Sequence, residues 1–127
     1  MIKYILDNNL YFEEYVKEYT NASYLVNPEL RMPGENDGIF SGFVGTKTDE
    51  GYVDGKYDKK TWSFQTDENG LPKKDPTLKD PNCVFHLLKK HYSRYTPEVV
   101  SRITGTQKDK LLPVYEAYSK TGKPNKS

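Results

Sequence analysis

The chain has 127 residues, enough for one domain at most, and a domain of this size buries only about two-thirds of the surface its unfolded chain exposes. Apolar residues make up 35%, below the usual ~45–50%, and eleven of them are tyrosines, whose hydroxyl wants water or a partner, so the expected core is thin. A net charge of +1 gives no global field that would draw the chain to nucleic acid or to an anionic membrane.

The even balance hides an asymmetry. Residues 1 to 58 carry 5 Lys/Arg against 11 Asp/Glu, a charge of −6, and residues 59 to 127 carry 14 against 7, a charge of +7. The two halves are expected to attract each other or to face different neighbours.

In chain order, MIKYILDNNLYF is too polar and too short for a signal peptide or for a span of about 20 apolar residues. Ile2, Ile5 and Leu6 form one helical apolar edge, and Phe12, Tyr15, Val16 and Tyr19 form a second. Asn8 and Asn9 between them suit a left-handed helix end, so residues 1–19 read as a helical pair.

Residues 20–83 hold most of the glycines and prolines, and no helical period survives there beyond one turn. WSFQT is β-prone, DENG supplies a turn with Gly70 at a position that tolerates positive φ, and LPKK can return antiparallel. The expected hairpin lies near 62–74, at an edge because Pro72 has no N–H for a ladder. Connections in small domains are commonly 4 to 6 residues, so this long stretch reads as a segment laid over a larger body.

Helices are expected again over 84–121. Val84, Leu87, Leu88, His91 and Tyr92 share one face of the first. Thr96 is placed to cap a second that opens on Pro97 and stops at Gly105. Thr106 is expected to cap a third, with Asp109 completing a weak capping box and Leu111, Tyr115 and Tyr118 inside. Pro113 conflicts with that helix, which either kinks or effectively starts there. Residues 122–127 form a polar tail expected to fray. The fold class is therefore α+β, mainly helical with a long loop and one β-hairpin, in a single partial domain.

Several residues invite a chemical role, and each has a plainer one. His86 and His91 are five apart, which puts them about 140° apart around a helix and argues against chelation by the pair. Glu13 and Glu14 are neighbours that diverge by about 100° and read as a solvated face, not a catalytic pair. TDEGYVDGKYD lacks the ligand spacing and closing Glu of a calcium loop. Cys83 is the single cysteine, and one thiol cannot hold a zinc ion or an iron–sulfur cluster, which need about four ligands, so it reads as a small partly buried apolar residue. Asn21-Ala22-Ser23 fits a glycosylation triplet, a pattern short enough to arise by chance. Phosphate cradles, nucleophile elbows and C-x-x-C strings are absent from the sequence. The pairs Lys59-Lys60, Lys73-Lys74 and Lys89-Lys90 read as solvated surface or a contact to another subunit. The residues thus assign no catalytic, cofactor-binding or metal site, and the tyrosines favour an interface.

The longer strings carry a resemblance. YTNASYLV, then DGIFSGF, YDKKTWSFQTDENG, DPTLKDPNCVFHLLKKHYSRYTPEVV and ITGT, in order from about Ile2 to Ala117, resemble the major (alpha) subunit of molybdenum- or tungsten-dependent formate dehydrogenases, of the molybdopterin oxidoreductase family. The resemblance departs at Gln107, where the family often has proline, and at Pro113.

The resemblance implies an internal fragment of an α/β molybdopterin-binding domain, acting as structural scaffold in a subunit that oxidises formate to carbon dioxide in anaerobic respiration. It implies a parent holding bis-molybdopterin guanine dinucleotide with Mo or W and a 4Fe-4S cluster, none of them in this segment. The catalytic motifs match no position here, so neither Cys83 nor His91 inherits a role. The implied partners are the rest of the major subunit and an iron–sulfur beta subunit, with no nucleic acid and no direct membrane insertion. The implied location of the parent is periplasmic, or membrane-associated on the periplasmic side. The alternative is a free-standing protein-interaction module without catalysis.

Overall fold

A computed structural model describes residues 1–121. It is an α+β arrangement, with five α-helices and one two-stranded antiparallel sheet among the described residues. Helix α1 (Ile2–Asp7) buries Leu6, and its Tyr4 ring lies 6.0 Å from that of Tyr115. Asn9 follows with φ of 51°, a left-handed conformation that asparagine tolerates, and the chain turns back as the Leu10 N–H donates to the Ile5 carbonyl. Helix α2 (Glu13–Tyr19) begins with two carboxylates at its N-terminus, where the helix dipole favours them, and Glu13 pairs with Lys17 one turn on.

After a 3-10 turn at Asn21–Ser23, residues 23–27 run extended through the middle of the molecule. On one side the Leu25 N–H donates to the Lys73 carbonyl and the Gln65 N–H donates back to the Leu25 carbonyl, at 2.9 and 2.8 Å. On the other side the Val26 N–H donates to the Asn82 carbonyl and the Val84 N–H to the Tyr24 carbonyl. Residues far apart in sequence are thus tied by single bridges instead of a continuous ladder. Around this knot lies the core of Leu6, Ala22, Leu78, Cys83 and Phe85, with Tyr11, Val16, Leu25 and Tyr92 packed against it.

One carboxylate shapes the far side of the knot. Asp75 accepts hydrogen bonds from the Thr77 N–H and hydroxyl and from the Lys79 and Asp80 N–H groups, at 2.6 to 2.8 Å. These bonds pull its carboxyl well below the ordinary carboxylate range, the Thr77 hydroxyl first. They also hold Leu78 at φ of 58°, which costs a leucine about 1–2 kcal/mol, and so place its side chain in the core.

The two-stranded sheet lies elsewhere. Strands β1 (Phe43–Thr48) and β2 (Gly51–Tyr57) pair in register from Phe43↔Tyr57 to Thr48↔Gly51, with a bulge between Val44 and Thr46. The hairpin packs on no other helix or strand among the described residues. It is an arm with its own aromatic filling, in which Phe43 contacts Tyr52 and Tyr57, Tyr57 meets Trp62, and Trp62 meets Phe40, all with centroids 5.0–5.7 Å apart. Gly45 and Gly55 sit under the Phe43 ring, where a Cβ would collide with it.

The hairpin expected near 62–74 is present only as a turn with a single antiparallel bridge, and the two-stranded ladder lies at 43–57 instead. The turn over Asp67–Gly70 forms, with Gly70 at φ of 78°, but it closes on the one bridge Thr66↔Pro72. Both legs are already engaged by residues 23–27, and Pro72 cannot donate, so no ladder extends from it.

Helix α3 (Val84–Tyr92) turns Phe85 into the core and leaves Leu88 and His91 exposed, a rotation of the face expected from periodicity. The bond from Val84 to Tyr24 and the buried Cys83 fix where the helix starts, and that sets its rotation. In α4 (Pro97–Thr104) the Thr96 hydroxyl accepts from the Val99 N–H, Pro97 opens the helix and Gly105, at φ of 73°, ends it.

Helix α5 (Lys108–Ser119) starts one residue later than a Thr106 cap would require. Gln107 is the N-cap, and the Thr106 N–H is already donated to the Thr104 hydroxyl. The helix runs through Pro113, so the proline neither starts nor ends it. Tyr115 is buried and Leu111 half-buried, while Tyr118, expected inside, is 59% exposed. The expected fraying of 122–127 lies outside the described residues.

The accessible surface is 9251 Å2. A compact monomer of 14.7 kDa exposes about 6,900 Å2, so the excess is roughly a third. Large apolar side chains are among those exposed: Tyr15, Tyr19, Ile103, Val114 and Tyr118 are all more than half exposed.

Candidate docking surface

The residues singled out in the sequence do not assemble into a reactive centre. No group of three or more His, Cys, Asp or Glu side chains comes together with metal-binding geometry among the described residues. His86 and His91 are exposed on α3, and His91 is taken up in a cluster with Tyr92 and Tyr95, its ring edge-on to Tyr92 at 5.3 Å. Glu13 is paired with Lys17. The acidic stretch of residues 48–58 is the tip and second strand of the arm.

Cys83 is fully buried, and its thiol donates to the Ala22 carbonyl across 2.8 Å. Burial pushes that thiol up from its ordinary value, so the metal-ready thiolate is disfavoured. Fully buried and bonded to the Ala22 carbonyl, this thiol belongs to no cluster of potential metal ligands among the described residues. Ser23, the third residue of the glycosylation triplet, is also buried, with its hydroxyl reaching the Lys17 carbonyl.

What the chain offers instead is surface. Along α2 and its N-cap, Phe12, Tyr15 and Tyr19 form a stacked row with centroids 6.2 and 5.4 Å apart, and the Tyr15 and Tyr19 residues are 53% and 77% exposed. Stacked rings held by helical spacing give large contact area with little rotamer entropy left to lose, which is what an interface uses. The lysine pairs divide. Lys59 lies over Trp62 and Lys74 over Tyr24, at 5.6 and 5.5 Å, while Lys90 pairs with Glu35 across 55 residues.

Beside that last pair is a groove of about 670 Å3 between residues 32–40 and the C-terminal half of α3. Its apolar wall includes Met32, Phe40 and Leu87, and its rim carries Lys90, His91 and Arg94. Lys90, then the nearby Arg31, pulls the Glu35 carboxyl below its ordinary range. Sequence periodicity gives no sign of this groove, because its walls come from segments far apart along the chain.

No family profile matches the chain. Among curated proteins, the whole chain is 47% identical over 127 residues to the formate dehydrogenase subunit alpha of Megalodesulfovibrio gigas. It is 44% identical to the nitrate-inducible formate dehydrogenase major subunit of Escherichia coli (strain K12), and 43% identical over 128 residues to the formate dehydrogenase 2 subunit alpha (cytochrome c-553) of Nitratidesulfovibrio vulgaris. Each match takes in 100% of this chain and 12% of the relative, so the chain spans about one-eighth of the length of the relatives it matches. Over its full length, the chain corresponds to a short segment of formate dehydrogenase major subunits.

Proposed function

We propose that the chain works as a structural segment of a formate dehydrogenase major subunit, cladding the part of that subunit that grips its molybdopterin cofactors. The single observation that carries this is the 47% identity over all 127 residues to one-eighth of such a subunit. The excess of accessible surface, and the large apolar side chains exposed on it, support it, because a compact domain of this mass exposes less.

In this reading the oxidation of formate to carbon dioxide, with release of two electrons and a proton, belongs to residues outside the chain. In the parent, bis-molybdopterin guanine dinucleotide with Mo or W would supply the electron sink and a 4Fe-4S cluster would supply the onward path for electrons. The residues of this chain contribute position. The knot around Cys83 sets where α1, α3 and α5 stand, and the tyrosine row of α2 meets the neighbouring body. An iron–sulfur beta subunit is a further expected partner.

The test is a chimera in which this chain replaces the matching segment of the Megalodesulfovibrio gigas subunit. Retention of metal content and of formate oxidation with a dye acceptor, within about tenfold of the parent, is the expected result. A chimera that expresses in soluble form but loads no metal sinks the reading.

A further inference from the structure

The groove beside α3 has an electrostatic surplus that the described residues do not satisfy. One carboxylate, Glu35, sits among Lys90 and Arg31, and Arg94 is left over, in no ion pair among the described residues. The Arg94 Nε–H donates to the His91 carbonyl at 3.1 Å, which fixes the plane of the guanidinium and leaves its terminal amino groups uncommitted. An arginine held in this way is prepared for two parallel bonds to one carboxylate. Next to it the wall formed by Phe40 and Leu87 is apolar, and these side chains are 39% exposed and half-buried, respectively.

We infer that the groove is the seat of an acidic segment with a bulky apolar side chain, supplied by the remainder of the same subunit. The inference rests on the functional reading above, under which seven-eighths of the subunit's length lies beyond this segment. The charge complementarity is specific in sign. A surplus cation next to an apolar wall selects a carboxylate adjacent to an aromatic or aliphatic side chain, and repels a basic one. Glu35 adds to the selection, because a carboxylate entering out of register meets it as a like charge.

The experiment tiles the Megalodesulfovibrio gigas subunit as overlapping capped peptides and titrates each into the 127-residue chain, reading backbone and Arg94 Nε–H resonances. The expected result is that the binding peptides at the groove are acidic and carry an aromatic or large aliphatic residue. Arg94→Glu should weaken them about tenfold or more, Arg94→Gln less, and 0.5 M salt should weaken wild type but not Arg94→Glu. Circular dichroism of both variants checks that the exposed substitution leaves the helices intact. Peptides that perturb the α2 tyrosines but not the groove, or that bind equally well with Asn and Gln in place of their acids, overturn the groove assignment alone. Failure of every peptide at every face overturns the groove assignment, and the chimera decides separately whether the reading beneath it stands.

Discussion

The knot around Cys83 and the arm over residues 40–62 solve the problem of a thin core in opposite ways. In the knot, contacts are distant in sequence: the Cys83 thiol bonds to the Ala22 carbonyl 61 residues away, and the backbone bridges link residues 23–27 to 63–65, 73–75 and 82–84. In the arm everything is local, a ladder of two strands and a chain of five rings from Phe40 to Tyr52. Long-range closure costs chain entropy before any contact rewards it, while local pairing does not, so the arm can form without the knot. The knot places helices for the neighbouring body, and the two strands of the arm pack on none of them among the described residues.

The sharpest way to break this separation is Phe85→Ala. Phe85 is 7% exposed and packs against Tyr11 with ring centroids 5.0 Å apart, so its loss should cost about 3–5 kcal/mol. For a small core that is enough to unfold the knot at room temperature. Trp62 is the single tryptophan and belongs to the arm, whereas the helical dichroism belongs to the knot and its helices. The variant should lose most of its helical signal and keep the emission of Trp62. Loss of both signals together would show one cooperative unit and end the comparison.

Gly42→Ala tests the other side. Gly42 has φ of 87°, and a Cβ there would run into the carbonyl oxygen of Asp58, whose N–H donates to the Gly42 carbonyl at 2.7 Å. The clash and the left-handed backbone together should cost the arm about 2–3 kcal/mol. Trp62 emission should shift to the red with the helical signal unchanged, and a loss of helix would mean that the arm supports the knot.

The two regions also differ in how much of each is legible in the amino-acid sequence. Thr96, Pro97 and Gly105 fix α4 through bonds within one or two turns, so their pattern is visible in a short window. The turn over Asp67–Gly70 is readable for the same reason. The arm escapes a reading by β-propensity because Gly45, Gly51 and Gly55 dilute its signal, although it is those glycines that make room for Phe43 and the tight reversal. The knot and the groove are illegible in principle, since nothing near Ala22 announces Cys83 and nothing near Glu35 announces Lys90. The kinship with formate dehydrogenase is legible only through long ordered strings such as DPTLKDPNCVFHLLKKHYSRYTPEVV, which preserve the consequences of those distant contacts without revealing them.

The smallest and most diagnostic change concerns Asp75, because it asks whether a single carboxylate holds the far side of the knot. Asp75→Asn keeps one acceptor oxygen and turns an amide toward N–H donors, so about 1–2 kcal/mol should be lost at pH 7 in urea titrations. The native carboxyl titrates far below its unfolded value near 3.9, so its stabilisation is complete above that value and drains away as pH falls below it. Asparagine does not titrate. The gap in stability between wild type and variant should therefore stay constant from pH 7 to 5 and narrow steadily below pH 4, while the other carboxylates, common to both proteins, cancel. A gap that is absent at pH 7 would mean that Leu78 keeps its left-handed place without the Asp75 bonds. The knot would then be held by burial alone, and Asp75 would be a half-buried acid with well-placed neighbours.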